Sequence, residues 1–471
     1  MYKKFIIWYL IAALGALPLC PAVRGAHTTT DKSVEVRTLS LVPAAEPVPA
    51  MSYRLLPCYL EQKTGNAALL YYSAAALCPD GDTEDIHEKI SDWRDLPVDQ
   101  LERKEVEKAL SSFSNCFHLI KLAAQRTYCQ WEMPLEDGFA MQLPHLSTFR
   151  SMTMAMQLQI RLKIADGQTD QALEILQHGL YMGRGIAQGP TIIQDLVGIA
   201  VTARLLKEVE GLMQMPGSPN LYWALTALPD PMIDMHSSLE YEREMLFVEF
   251  PQLRNLENEV LSPAQVSDFM NKILTLGGEM GDMPFKRLLP VGWVMMHYSD
   301  AKEYLARKGY SQERIEALPA GQAVLIYQKQ EYLEMRDSLF KWFELPYSQA
   351  QPHLKKGEQR LNDHLSTKGI KVNLFCTLLP ALARIGVLQA RLDRNIALLR
   401  TVEAIRMFAA DHSGQLPGSL TEITAVPIPA DPMTGKDFIY RRIDARNARL
   451  EAPVAPEESK RRPVYELTIK P

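Results

Sequence analysis

The sequence lacks long apolar runs beyond its N-terminus, whereas a membrane-spanning helix needs about 20 predominantly apolar residues. It also contains no HExxH, GxSxG, GxGxxG or Walker A pattern, which are typical of zinc proteases, serine hydrolases and nucleotide-binding proteins. A net charge of −5 includes no basic excess that would attract nucleic acid. These absences predict no metal, no cofactor, no nucleic-acid partner and no catalytic residue that a motif would identify.

Cysteine is scarce, with 6 residues in a chain of 471. No two of them have the CxxC spacing, so the sequence disfavours a zinc site. Cys58, Cys78, Cys116 and Cys129 lie in the first third of the chain. Export would permit disulfides among these four, and three pairings remain open because spacing alone does not choose between them.

The N-terminus has the layout of a secretory signal peptide. Lys3 and Lys4 precede an apolar run at 5–17, and small residues follow shortly after it. We expect residues 1–25 to be removed, which leaves a periplasmic or envelope-associated protein without a transmembrane segment. Lipid anchoring at Cys20 is disfavoured because the residues just before it lack the small side chain that lipidation requires.

The rest of the chain divides by composition. Residues 26–50 are rich in Thr, Ala, Val and Pro without helical period and read as an extended linker. Residues 51–380 carry helical patterns, with a hairpin turn at 165–167 and no repeat period. Residues 381–471 begin with a long helical pattern and end in a segment that alternates with period two.

The sequence therefore predicts a mainly α protein. Its body is an irregular multi-helix array of helical hairpins, followed by a small C-terminal α+β module with a short antiparallel sheet.

One candidate surface consists of His236, Glu240 and Arg243, at i, i+4 and i+7 on one predicted helix. A His–Glu pair at that spacing could bind a metal or hold a general base. The favoured alternative is an exposed charged stripe stabilised by pairs four residues apart.

A second set of candidates is aromatic and polar. Asn66 precedes an apolar helix as a helix cap would, and Tyr71 lies on that helix. Trp131 and His145 flank a loop that contains Pro and Gly, and loops on rigid scaffolds often carry binding sites. A ligand or partner surface is one interpretation of these residues, and packing is the favoured one.

The C-terminal segment resembles the core of type II secretion pseudopilins, which show a long helix, a D-x-G-x-x-P-x-x-L turn and a D-P-x-x-G-x-x-F-x-Y strand. The matching residues are Asp411, Gly414, Pro417 and Leu420, followed by Asp431, Pro432, Gly435, Phe438 and Tyr440. A pseudopilin begins with its hydrophobic helix, whereas this helix is internal. The resemblance therefore implies the local fold, and neither pilus assembly nor a calcium site.

Most of the chain also resembles a family of uncharacterised exported helical proteins of bacteria with elaborate envelopes. The resembling segments are 66–72, 129–131, 165–167, 190–193, 196–198, 336–337 and 341–346, together with the C-terminal module. This family implies an architecture and no activity.

These observations favour an exported, non-catalytic scaffold or interaction protein of the bacterial cell envelope, with an envelope protein as its partner. The alternative is a periplasmic hydrolase of a glycan or peptide that uses carboxylates in an interhelical cleft.

Overall fold

The computed structural model describes residues 34–79, 84–276, 289–367, 373–379, 382–455 and 462–470. The segment 1–25 that we interpret as a signal peptide, including Cys20, lies outside these residues. The helices are α1 (Ala67–Ala76), α2 (Glu84–Asp95), α3 (Arg103–Ser111), α4 (Ser114–Ala124), α5 (Leu146–Ala165), α6 (Thr169–Ile186), α7 (Ile192–Met213), α8 (Tyr222–Thr226), α9 (His236–Glu249), α10 (Pro263–Leu276), α11 (Leu289–Arg307), α12 (Gln312–Ala317), α13 (Ala320–Phe340), α14 (Tyr347–Thr367) and α15 (Leu382–Asp411).

Short 3-10 helices and six strands complete the described elements. The 3-10 helices span Tyr59–Glu61, Val98–Gln100, Leu135–Ala140, Pro251–Asn255, Lys341–Glu344, Cys376–Leu378 and Leu420–Glu422. The strands are β1 (Val34–Leu41), β2 (Lys63–Asn66), β3 (Arg126–Tyr128), β4 (Ile439–Arg442), β5 (Asn447–Glu451) and β6 (Arg462–Ile469). Within the described ranges, no helix combines the length and apolar character needed to cross a bilayer.

The predicted fold class is confirmed: helices dominate, and β4, β5 and β6 form a small antiparallel C-terminal sheet. A fourth strand, β1, joins this sheet in parallel to β6, with Leu39 beside Leu467 and Leu41 beside Ile469. Residues 34–41 belong to the segment that the sequence assigns to an extended linker. They form a strand because β6 satisfies their backbone groups while Leu39 and Leu41 become buried.

The chain forms two compact units, each assembled from separated stretches of sequence. Unit 1 contains Met133–Gln142 and the described residues of Leu239–Gly386. Unit 2 contains the described residues up to Glu132, together with those of Leu143–Ser238 and of 387–471. The unit boundaries thus differ from the single helical domain at 51–380 that composition suggests, because residues far apart in sequence share a core.

The centre of unit 2 is the three-helix arrangement of α5, α6 and α7. Gly167 has a φ of +70° in the turn between α5 and α6, a conformation that glycine adopts without strain. The helices α6 and α7 approach closely at Gly198, where an added Cβ would lie 2.5 Å from the carbonyl oxygen of Gly183. Residues such as Val197 and Val201 are almost completely buried, which places α7 inside the bundle.

Unit 1 is organised around α13, whose first half is buried. The side chain of Gln322 accepts a hydrogen bond from the backbone of Leu261 at 2.8 Å and donates one to the carbonyl of Leu256 at 2.8 Å. Asn373 donates to the carbonyl of Gln328 at 2.8 Å. Buried amides thus join α13 to the segments beside it while satisfying their backbone groups.

A buried ion pair holds the C-terminal module of unit 2 onto α15. Arg394 Nε lies 2.8 Å from Asp431 Oδ1, and Arg394 Nη2 lies 2.7 Å from Oδ2. The same carboxylate accepts a hydrogen bond from the hydroxyl of Thr434 at 2.6 Å, which closes the turn that follows Asp431. Both charged side chains are enclosed, so each compensates the desolvation of the other.

We expect Arg394→Met to lower the free energy of unfolding of unit 2 by about 3–5 kcal/mol, because the substitution leaves the Asp431 carboxylate buried without its counter-ion. Urea unfolding followed by circular dichroism measures this loss.

Arg103→Met serves as the matched control, since Arg103 pairs with Asp166 in the same unit at 3.1 Å but with side chains 55% and 32% exposed. Its loss should stay below about 1 kcal/mol. Equal losses in the two variants would contradict a role for burial.

Candidate functional site

Residues His236, Glu240 and Arg243 lie on α9 with exposed side chains. His236 Nδ1 is 2.5 Å from Asp234 Oδ1, so the histidine contacts an acid that precedes the helix. The described part of the chain contains no group of three or more His, Cys, Asp or Glu side chains arranged to hold a metal ion. These exposed positions fit the charged-stripe interpretation.

The structure brings the other candidates together in unit 2. Asn66 caps α1 by accepting a hydrogen bond from Ala68 N at 3.1 Å. Its side chain also exchanges two hydrogen bonds with the backbone of Gln130, at 2.7 and 2.9 Å. This contact places Trp131, the next residue, beside α1.

An aromatic cluster forms around Trp131. The ring centroid of Trp131 lies 6.3 Å from that of Tyr71 and 5.0 Å from that of Tyr72. Tyr72 also makes an edge contact with His145 at 5.9 Å, and Phe149 packs against Trp131 at 5.8 Å. Trp131 Nε1 donates to the carbonyl of Gly185 at 2.7 Å, which ties the cluster to α6.

The chemistry of this cluster is that of a packed core. Tyr71 is fully buried, and burial raises the pKa of its hydroxyl well above the ordinary value. Burial also raises the pKa of the neighbouring Cys129 thiol to about 12. Both groups are therefore protonated at neutral pH and are poor nucleophiles. The cluster joins α1, α5 and α6 rather than presenting a reactive side chain.

Sequence reasoning missed a groove in unit 2 that encloses about 380 Å³. Its walls come from residues 43–53, which follow β1, and from 217–220, which follow α7. The lining residues carry apolar, hydroxyl and amide side chains, with no carboxylate or imidazole among those described. Two segments so far apart in sequence leave no local pattern that would reveal the groove.

Arg406 holds both walls of the groove from within the unit. Its Nε donates to the carbonyl of Val42 at 2.8 Å, and its Nη2 donates to Ser218 Oγ at 2.8 Å. The Glu403 carboxylate accepts from Arg406 Nη1 at 2.9 and 2.8 Å, and both side chains are completely buried. In the sequence, Glu403 and Arg406 are two of eight charged residues in α15, so the pair does not stand out.

Further hydrogen bonds hold the wall at 43–53, which has no regular secondary structure. Ala44 N donates to the carbonyl of Arg406 at 3.2 Å, and its own carbonyl accepts from the side chain of Asn220 at 3.1 Å. Trp223 Nε1 donates to the carboxylate of Glu46 at 2.5 Å. This irregular segment is thus held in one conformation, which reduces the entropy that a binding partner would have to remove.

A buried acid, Asp195 on α7, is a second feature that the sequence did not reveal. Its Oδ2 forms a hydrogen bond with Ser238 Oγ, while its Oδ1 has no hydrogen-bond partner among the described residues. The pKa of Asp195 is raised to about 8, mainly by burial and also by the charge of Asp234, while the hydrogen bond of Ser238 opposes the shift. Asp195 is therefore mostly neutral at pH 7 and acts as a polar core residue.

Comparison with models of protein families, with curated proteins and with solved structures returns no match for this chain.

We expect the raised pKa of Asp195 to make the protein less stable as the pH rises from about 4 to about 8. In that range the unfolded chain has released the Asp195 proton while the folded chain keeps it, so increasing pH favours unfolding. Between pH 5 and pH 7.5 the wild type should lose up to about 3 kcal/mol relative to Asp195→Asn, which cannot ionise. Urea unfolding of both proteins at the two pH values measures the difference.

Asp437→Asn is the control, because Asp437 is an exposed acid of the same unit. A difference between Asp437→Asn and the wild type that changes with pH as much as that of Asp195→Asn would count against a special effect of the buried acid. A constant difference between the wild type and Asp195→Asn over this range would show that Asp195 ionises normally in the folded protein.

Proposed function

We propose that the protein is an exported, non-catalytic interaction protein of the bacterial cell envelope, and that the groove at 43–53 and 217–220 is its binding surface. The observation that carries this proposal is the anchoring of an irregular, largely apolar segment by the buried Arg406. Loops that a rigid scaffold positions carry a disproportionate share of the binding residues of proteins.

Exposed apolar side chains next to the groove support the proposal. Val48 lines the groove and is 96% exposed, and Met51 is about half exposed. Further along the same stretch, Tyr59 and Leu60 are also largely exposed. When a partner covers apolar side chains that a rigid segment holds in water, the free energy falls, which favours binding.

The lining of the groove favours binding over hydrolysis. A glycosidase of the common kind needs two carboxyl groups about 5–10 Å apart beside its substrate. The polar groups of the described lining are instead the hydroxyls of Ser52, Tyr53 and Ser218 and the amide of Asn220. Such groups orient a partner by hydrogen bonds, and they do not supply the pair of carboxyl groups that such a glycosidase uses.

The envelope location rests on the charged and apolar layout of residues 1–25. The resemblance to the pseudopilin core adds support from the local geometry of the C-terminal module. Tyr440 of its strand motif donates to the carbonyl of Pro417 in its turn motif at 2.9 Å, so the two motifs lie together. We propose that this module is a pseudopilin-like element used for structure.

We expect the protein isolated from its native host to begin at Ala26 and to be recovered with the periplasmic or envelope fraction. N-terminal sequencing and intact mass, together with cell fractionation, test this expectation. A protein that retains Met1 and fractionates with the cytoplasm would contradict export.

We expect Val48→Asp to reduce partner recovery at least 5-fold when tagged protein is cross-linked in the native host and purified. The carboxylate of the new Asp would have to lose its hydration water to enter an apolar contact, which weakens binding. A 5-fold weaker affinity corresponds to about 1 kcal/mol of binding free energy. Quantitative mass spectrometry of the recovered envelope proteins provides the measurement.

Val260→Asp is the matched control, because Val260 is 74% exposed in unit 1 and the substitution is the same. Circular dichroism should show that both variants fold as the wild type does. A partner that both variants recover equally, or no envelope protein recovered with the wild type, would count against the groove as the binding surface.

A further inference from the structure

Two cysteines of unit 2 lie at the contact between α1 and α4. Cys116 is on α4, and its Sγ donates to the carbonyl of Ala74 in the last turn of α1 at 3.1 Å. Cys78 follows the end of α1, where its backbone N donates to the carbonyl of Ala75 at 3.3 Å. Both side chains are therefore positioned by the same turn of α1.

The two thiols are in direct contact, since the side chain of Cys116 is hydrogen-bonded to that of Cys78. Both are buried, with Cys116 fully enclosed and Cys78 6% exposed. Sulfur atoms in hydrogen-bonding contact need a small side-chain movement to reach the separation of about 2 Å found in a disulfide.

We propose that Cys78 and Cys116 form a structural disulfide that joins α1 to α4. This inference goes beyond the proposed binding function and does not depend on the groove. Of the bonds that the sequence left open among the four cysteines, it selects Cys78–Cys116.

The other two cysteines considered for disulfides, Cys129 and Cys58, lie in different surroundings from Cys78 and Cys116. Cys129 lies against Gly185 in the aromatic cluster, with a Cβ on that glycine falling 3.2 Å from its Sγ. Cys58 is partly exposed just before the 3-10 helix Tyr59–Glu61, and hydrogen bonds from Leu60 and Arg54 lower the pKa of its thiol.

The disulfide would form by thiol–disulfide exchange with an external oxidant. The more exposed Cys78, as its thiolate, attacks the disulfide of an oxidant such as oxidised glutathione or a protein disulfide, and one thiol leaves. Cys116 is the resolving group, because its thiol contacts the Cys78 side chain in the folded unit. Its thiolate attacks the Cys78 sulfur, forms the Cys78–Cys116 bond and releases the second thiol of the oxidant. Two protons and two electrons leave the protein, and one disulfide of the oxidant is reduced.

The bond would stabilise unit 2 by closing a loop of the unfolded chain between residues 78 and 116. For a loop of this length we expect reduction to lower the Tm of the wild type by about 5–10 °C.

The first experiment equilibrates the purified full-length protein with oxidised glutathione, blocks remaining thiols by alkylation and digests it with trypsin without reduction. Each cysteine of the described chain falls in its own tryptic peptide, with Cys78 in 64–89 and Cys116 in 109–121. We expect mass spectrometry to find these two peptides linked, and to find them separate after reduction. Peptides 64–89 and 109–121 recovered alkylated and unlinked, or 64–89 linked to a different cysteine peptide, would overturn the proposal.

The second experiment compares the change in Tm on reduction, which does not depend on how much each substitution alone destabilises the protein. The wild type and Cys58→Ser should show the same decrease with reductant, because Cys58 lies outside the bond. Cys78→Ser and Cys116→Ser should show no decrease. A wild-type Tm that reductant leaves unchanged, or an undiminished decrease in Cys78→Ser, would refute the disulfide.

Discussion

The guanidinium of Arg406 is completely buried in unit 2, and each of its nitrogens donates a hydrogen bond. An arginine removed from water costs several kcal/mol unless every donor finds an acceptor. The acceptors here come from the chain after β1, from the turn after α7 and from Glu403 on α15 itself. Burial of this one charge therefore requires three distant parts of the chain to meet in a single arrangement.

The position of β1 and the shape of the groove follow from that requirement. The backbone N of Lys470 donates to the carbonyl of Leu41, and in the next residue the carbonyl of Val42 accepts from Arg406. The segment that leaves the sheet is thus directed over α15 and forms one wall of the groove. Because α15 also holds the C-terminal turn through Arg394, the same helix supports both the sheet and the proposed binding surface.

Much of the local structure could be predicted from the sequence. The period of apolar residues indicated α5, α6 and α7, the Asp166–Gly167 turn indicated the hairpin, and alternation indicated β6. Asn66 caps α1 as its position suggested. The aromatic candidates come from two stretches of the chain, one with Tyr71 and one with Trp131. The contact between Asn66 and Gln130 brings the two stretches together.

The sequence by itself determined the helical class, the main turns and caps and the alternating strand, because these depend on interactions within a few residues. The tertiary structure decided which separated stretches of sequence form each of the two units, the pairing of β1 with β6, the groove and the contact between Cys78 and Cys116. These features depend on long-range burial and pairing: a strand needs a partner for its backbone groups, and a charge such as Arg406 leaves water only where distant acceptors converge.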